Sequence, residues 1–402
     1  MPLAMPDITG RVGATWERLP TWGKWLARLV ALVVAVLAPA TSVGRIMAPG
    51  SDWKTILFFP IGIFILLAVG LNIVVGQAGL LDLGYVAFFA IGGYAMALIG
   101  TEHHWSFWLI LPVGIVLSAV AGVILGAPTL RLRGDYLAIV TLGFGEIIRI
   151  TANNSNWMGG PRGVSNIPHP PSVHGVSQMT YGVLDPRPYY YLVLAAIVLV
   201  VFVARRLERS RVGRAWASVR EDEDAAELMG VPTFKFKLWA FAIGAAIAGM
   251  AGVLFASKVI AITPDNFPFA VSILVLASVV LGGSGNIPGV ILGAFVVGWL
   301  PEYFRSVSFG ATLTKWFNHI IGFKVHCQGG SCHVGHHTFA TNFSDYRELI
   351  FGAALVIMMI FRPQGLLPSR QRRAEMIEGT RTGQLGAQAA GPAAGPAAVP
   401  EP

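Results

Sequence analysis

Few residues in this chain are placed to do chemistry, and they are easily named. The densest group is VHCQGGSCHVGHH, with His326, Cys327, Cys332, His333, His336 and His337. Two thiols five residues apart can close a disulfide in an oxidising compartment. The same thiols with imidazoles can instead hold a soft divalent ion such as zinc. The C-x-x-x-x-C spacing fits no common closed zinc motif, so Cys327–Cys332 is carried forward as a candidate disulfide and no metal is assigned. A second group is charged and sits inside apolar sequence: Asp82, and Glu146 with Arg149 three residues on. Glu146 and Arg149 can pair on one helix face, and an ionisable group at membrane depth suggests function by default. Their bland reading is a structural pair near a span end. No chain of carboxylates suits a proton relay, which weakens an ion-driven transporter. No nucleophile stands with a base, and no phosphate-cradling glycine loop is present. An enzyme is therefore not expected, no cofactor is called for, and ATP hydrolysis would need other subunits.

A third group lies in a polar stretch, RRLERSRVGRAWASVREDEDAAELMGVPTFKFK, residues 205–237. It is too polar to cross lipid, yet it carries helix punctuation. Ser218 with Glu221 three residues on has the form of a capping box. Gly230 and Pro232 close the helix. The expected helix covers about 219–229, with Val219, Ala226 and Met229 on one face. Glu221, Asp222, Glu223 and Asp224 fall in its first turns, where the helix dipole favours negative charge. A solvated linker is the bland alternative. A small-residue patch, Ala225 and Ala226, favours a helix that docks on a cytoplasmic partner.

Glycines form a fourth group. Gly76-Gln77-Ala78-Gly79 and Gly282-Gly283-Ser284-Gly285 each interrupt the join between two apolar runs. Irregular backbone at membrane depth survives only when buried in protein or beside water. Paired interruptions point to a solute path built on repeats, which makes Gly76, Gln77, Gly79, Gly282, Gly283 and Gly285 candidate path residues. Two ordinary surface turns are the alternative. Spaced glycines at Gly122/Gly126, Gly244/Ala248/Gly252 and Gly285/Gly289/Gly293 allow close helix contact.

Long apolar elements must position these groups. Of 402 residues, 54% are apolar and 12% charged, about half the charge of an ordinary soluble domain. Ten segments approach the length of about 17–25 residues that spans a bilayer. They are 26–44, 55–75, 79–99, 107–127, 136–151, 189–204, 238–257, 268–282, 287–304 and 346–361. The expected fold is an all-α polytopic membrane bundle of about 8–10 spans, with 136–151 and 268–282 short enough to be half-helices. A cytoplasmic N-terminus places most of the 29 Lys and Arg inside, as the positive-inside rule requires. Both termini are then cytoplasmic, residues 1–25 form an N-terminal segment, 26–368 the membrane domain, and 305–345 an external loop. Residues 369–402, rich in Pro and Gly, read as a disordered tail. A signal-peptide reading of the apolar run 29–37 with Ala38-Pro39-Ala40 would leave the later topology unchanged. The net charge of +8 belongs to topology, and nucleic acid is not an expected partner.

Seven collinear stretches resemble one family. They are GQAGLLDLGYVAFFAIGGYAMAL (76–98), GDYLAIVTLGFGEIIRI (134–150), GGPRG (159–163), GRAWASVREDEDAAELMGV (213–231), GVLFASKVIAITPDNFPF (252–269), VVLGGSGNIPGVILGA (279–294) and FRPQGLLP (361–368). The chain resembles the LivM-type permease of high-affinity branched-chain amino acid ABC importers. The resemblance implies half of a bacterial inner-membrane heterodimer, completed by a second permease of the family. It also implies two ATPase subunits and an external solute-binding protein. Glu223-Asp224-Ala225-Ala226 followed by Gly230 looks like the coupling loop of such importers. The implied ATPase contacts are thus Arg220, Glu223, Asp224, Ala225, Ala226 and Gly230. Close relatives move urea, amides or other amino acids, and an ATPase-independent channel or secondary transporter is the alternative of another class. The Cys/His loop is longer than the family's usual connection there, and the first 50 residues and the tail find no match.

Overall fold

The computed structural model describes residues 30, 33–39, 52–132, 134–171, 181–182, 185–259, 261–306, 326–328, 331–334, 337–340, 352–353, 356 and 365–367. Its helices are α1 (Trp53–Gln77), α2 (Val86–Glu102), α3 (Phe107–Thr129), α4 (Asp135–Asn154), α5 (Arg187–Glu208), α6 (Arg211–Glu221), α7 (Glu223–Leu228), α8 (Thr233–Ala256), α9 (Phe269–Gly282) and α10 (Ile287–Ser306). Five are long and apolar enough to cross a bilayer: α1, α3, α5, α8, and α9 with the turn before it, Pro264–Gly282. Shorter apolar helices, α2 and α10, stand beside them. The chain is a multi-pass helical membrane protein.

Eight of the ten expected spans are helices here. The segments 26–44 and 346–361 lie largely outside the described residues, as do the N-terminal segment and the tail. Both short segments lengthen. Segment 136–151 extends to the 20 residues of α4, about 30 Å at 1.5 Å per residue. Segment 268–282 gains a leading turn, which Thr263 and Asn266 close as a capping box. α1 is not uniform. Phe59 leaves helical geometry (φ −137°, ψ 126°) ahead of Pro60, and residues 72–77 form a wide π-helical turn.

Between helices in lipid there is little hydrophobic drive, so close packing and hydrogen bonds must hold them. α8 is the central helix and shows both. A methyl group at Gly249 would sit 2.2 Å from the Ser118 hydroxyl and 2.8 Å from the Gly114 carbonyl. One at Gly92 would strike the Gly249 carbonyl, and one at Gly122 the Ala245 side chain. Of the expected small-residue stripes, Gly122 meets α8 at Ala245, Gly252 meets α2 at Phe89, Gly244 meets α1 at Val74, and Gly289 and Gly293 meet α9 at Gly282 and Ser278. Polar side chains then satisfy exposed backbone groups. Tyr85 donates to the Gly244 carbonyl at 2.9 Å, and Ser272 accepts from the orphan N–H of Val86 at 3.0 Å.

Two ends of the bundle are distinguishable. At one end β1 (Val164–Ser165) pairs antiparallel with β2 (Ala261–Ile262), tying the exit of α4 to the exit of α8. The opposite end carries α6, α7 and the turn between α9 and α10. Separately, β3 (His326–Gln328), β4 (Ser331–Val334) and β5 (His337–Ala340) make a three-stranded antiparallel sheet. Its register sets Cys327 opposite Cys332 and His326 opposite His333.

The packing yields a direct test. Gly249→Val should lower the stability of the detergent-solubilised protein by about 1–3 kcal/mol, the usual cost of overpacking. Gly143→Ala, where nothing lies within 4 Å, should hold or raise it. Thermal unfolding followed by size-exclusion fluorescence reads both.

Candidate functional site

The polar loop is two helices rather than one. Ser210 caps α6, its hydroxyl accepting from the N–H groups of Val212 and Gly213 at 3.1 and 3.4 Å. The helix then runs through Ser218, whose hydroxyl donates to the Arg214 and Ala215 carbonyls. The expected capping box at Ser218 and Glu221 is thus corrected. The break falls at Asp222, which is extended (φ −155°, ψ 113°). Its carboxylate accepts from the Ala225 N–H at 2.9 Å and opens α7. A carboxylate competes well for this position because it meets both the orphan N–H and the positive end of the helix dipole.

The far end of α7 closes as the sequence predicts. Gly230 is left-handed (φ +83°). Its N–H bonds to the Glu227 carbonyl at 2.9 Å, and that of Val231 to the Ala226 carbonyl at 3.0 Å. This is a Schellman closure, in which glycine alone avoids a Cβ penalty. The break at Asp222 also shifts the phase of the expected face. Val219 and Ala226 are buried, but Met229 is 85% exposed and Leu228 89%. The outward surface of α7 is therefore Asp224, Ala225, Leu228 and Met229, a small patch with two large apolar side chains.

Glu223 and Arg220 turn the other way. The Glu223 carboxylate pairs with the Lys237 ammonium near the start of α8, where Lys237 is buried. Trp216, fully buried, donates its indole N–H to the Phe236 carbonyl at 2.8 Å. These two contacts fix α6 and α7 to the start of α8. Arg220 donates to the Gly76 carbonyl at 2.5 Å, and its stem lies across Gly79.

That contact opens onto the glycine interruptions, which lie together. Asn72, fully buried in the π-helical turn of α1, accepts from the Gly285 N–H at 2.8 Å. A Cβ on Gly76 would collide with the Asn72 oxygen and the Gly285 nitrogen. Gly282 packs backbone to backbone on Gly289. Leu366 and Leu367 donate to the carbonyls of Leu281 and Gly282 at 2.7 and 3.1 Å, and Asn286 donates to the Leu367 carbonyl at 2.8 Å. The Gln77 amide is buried with neither atom hydrogen-bonded. Asp82, also buried, accepts from the Gly84 N–H at 2.9 Å. The five candidate path glycines and Gln77 thus lie together at the end where Arg220 enters. Sequence reasoning missed Asn72, Lys237 and Trp216. Asn72 was the one legible signal, a lone amide inside an uncharged apolar run.

The family described as "Branched-chain amino acid transport system / permease component" matches residues 55–359. The chain belongs to this permease family. It is 40% identical to the high-affinity branched-chain amino acid transport system permease protein LivM of Escherichia coli over 341 residues, 80% of this chain and 72% of that protein. A probable LivM of Methanocaldococcus jannaschii is 26% identical over 75% of this chain and 84% of its own length. The high-affinity branched-chain amino acid transport system permease protein LivH of Escherichia coli is 25% identical over 58% of this chain and 79% of its own length. No solved structure matches the chain. The family match covers α1 through α10, so the loop helices and glycine joins described above all lie within the permease region.

The Glu223–Lys237 pair gives the site's own test. Glu223→Gln or Lys237→Gln alone leaves a buried polar group unmatched, while the double substitution removes both charges. A double-mutant cycle by thermal unfolding should return a coupling energy of about 0.5–3 kcal/mol. Strict additivity would deny that the pair anchors α7.

Proposed function

We propose that this permease is one half of the membrane path of an ATP-driven importer of branched-chain amino acids, and that α7 is its docking helix for an ATPase subunit. The observation that carries the docking reading is the outward face of α7. Leu228 and Met229 are large, apolar and exposed on a short helix that stands outside the spanning bundle. A solvated linker has no reason to present them, whereas a partner groove would bury them. Ala225 beside them leaves room for close approach. An ATPase-independent channel would need neither the capped helix nor its fastening through Glu223, Lys237 and Trp216.

The substrate reading rests on the relatives. Proteins named for high-affinity branched-chain amino acid transport match most of the chain. Two distinct permease proteins of one organism, LivM and LivH, both match it, which supports a heterodimer of related halves. Two ATPase subunits and an external binding protein complete the proposed assembly. In it, α6 and α7 face the cytoplasm, both termini lie on that side, and the membrane is the bacterial inner membrane. The glycine joins at Gly76, Gln77 and Gly79 and at Gly282, Gly283 and Gly285 sit where motion of α7 would reach the path first. Cys327 and Cys332 are proposed to form a disulfide. Facing residues of antiparallel strands lie about 4.5–5.5 Å apart at Cα, within the range of about 4.4–6.8 Å that a disulfide bridges.

Ala225→Trp tests docking, because Ala225 is exposed and its replacement leaves the bundle intact. Membranes carrying the variant should keep normal permease levels, lose the co-purifying ATPase subunit, and lose labelled leucine uptake at least tenfold. Unchanged uptake would contradict the docking role. Competition of leucine uptake by isoleucine and valine, and its indifference to urea, is the expected substrate pattern. For the disulfide, both thiols should resist alkylation until a reductant is added, as read by peptide mass.

A further inference from the structure

The ion pair inside α4 has no part in the docking account. Arg149 Nε donates to Glu146 Oε2 at 2.9 Å, and the two side chains are 34% and 33% exposed. The other carboxylate oxygen and the terminal guanidinium nitrogens make no further hydrogen bond to described residues. In the structure the pair lies within α4, whose 20 residues are not among the five apolar spans. Glu146 lies eight residues before the last residue of α4, Asn154, about 12 Å along a helix about 30 Å long. α4 crosses the full bundle. Near its first turns Thr141 accepts from the Leu83 N–H at 3.0 Å, beside the α6 end. At its exit it meets the turn Gly160–Arg162 by the β1–β2 pair.

The outward faces of neighbouring helices show what lipid requires. α3 exposes Leu109, Val116 and Ile124, and α5 exposes Leu199 and Phe202. α4, which is not one of the five apolar spans, differs from them in holding two partly exposed charges amid the exposed side chains of Ile139, Ile147 and Ile150. Ions on such a face belong to a protein interior or a water-filled path. One more residue bears on the choice. Gly143 stands one turn before Glu146 on the same stripe, with nothing within 4 Å of where its Cβ would be. Gly145, by contrast, faces the Gly84 backbone at 3.5 Å and so has an internal packing reason. A mid-helix glycine with no neighbour to accommodate leaves a notch for something outside this chain.

We infer that the open face of α4 lines the solute path, and that Glu146 and Arg149 form a subsite for a zwitterionic amino acid with an aliphatic side chain. The pair offers a carboxylate to the solute's ammonium and a guanidinium to its carboxylate, a charge-assisted match on both sides. Exchange of partners keeps every charge compensated as the solute enters and leaves. Gly143 makes room for the solute backbone. Ile139, Ile147 and Ile150, all exposed on the same side, offer apolar contact to the aliphatic side chain. The subsite rests on the branched-chain substrate reading given above and names where on this chain that solute would be held.

The complete importer, reconstituted in liposomes with its binding protein, tests it. Glu146→Gln/Arg149→Gln keeps shape and removes both charges. It should co-purify with its partners yet take up labelled leucine at least tenfold more slowly than the unaltered importer. Uptake within twofold would overturn the subsite, since a merely structural surface pair is dispensable. Should the double variant fail to assemble, Gly143→Cys decides. Residue 143 should react with a membrane-impermeant maleimide in the intact complex, read by peptide mass so that Cys327 and Cys332 do not interfere. An unreactive Cys at 143 would put this face against lipid or a tight protein contact and overturn the inference. Absence of leucine uptake by the unaltered importer is a separate failure. It would remove the substrate reading itself, whereas loss or retention in the double variant judges the subsite alone.

Discussion

Backbone that leaves helical geometry inside an apolar surround must find its hydrogen bonds within the protein. The structure answers that constraint by packing broken stretches against one another. The end of α1 unwinds into a π-helical turn beside the turn between α9 and α10, and Asn72 bridges them through the Gly285 N–H. Gly76 sits between with no room for a side chain, and its carbonyl is taken by Arg220 from outside the spanning bundle. Residues 366 and 367 cover the remaining carbonyls at Leu281 and Gly282. One hydrogen-bonded chain thus runs from a polar helix to the ends of three apolar helices, α1, α9 and α10.

A functional division follows from where the anchors point. Glu223, Trp216 and Arg220 look inward and hold α6 and α7 to α8 and α1. Leu228 and Met229 look outward with nothing over them in the described structure. The same short segment is therefore rigidly fastened on one side and open on the other. That is the mechanical requirement for passing a partner's movement into a bundle. Flexible fastening would absorb the movement, and a closed outer face would never receive it.

Much of this was legible from residue order, for physical reasons that differ by element. Length and apolarity alone mark a span, so eight of the expected segments are found as helices. Gly230 was legible because a left-handed helix end tolerates few other residues. The Glu146–Arg149 pair was legible from its i, i+3 spacing. The break at Asp222 was not, because Ser218 and Asp222 are both good caps and only tertiary docking of Trp216 and Lys237 selects between them. Lys237 read as a topology charge, since its partner Glu223 lies fourteen residues away across a turn. The meeting of the two glycine joins was suggested by their matching form, but Asn72, the residue that binds them, carries no motif. Gly143 could not be separated from Gly145 without knowing which one faces the bundle.

The central claim is that α7 is the permease's handle for an ATPase subunit, and its outward side chain is the place to ask. A photo-crosslinking amino acid at Leu228, in membranes containing the assembled importer, should yield a product that carries the ATPase subunit. The same probe at Ile124, on the outward face of α3, should not. A Leu228 probe that captures no ATPase subunit, or captures it no better than Ile124, would contradict the account.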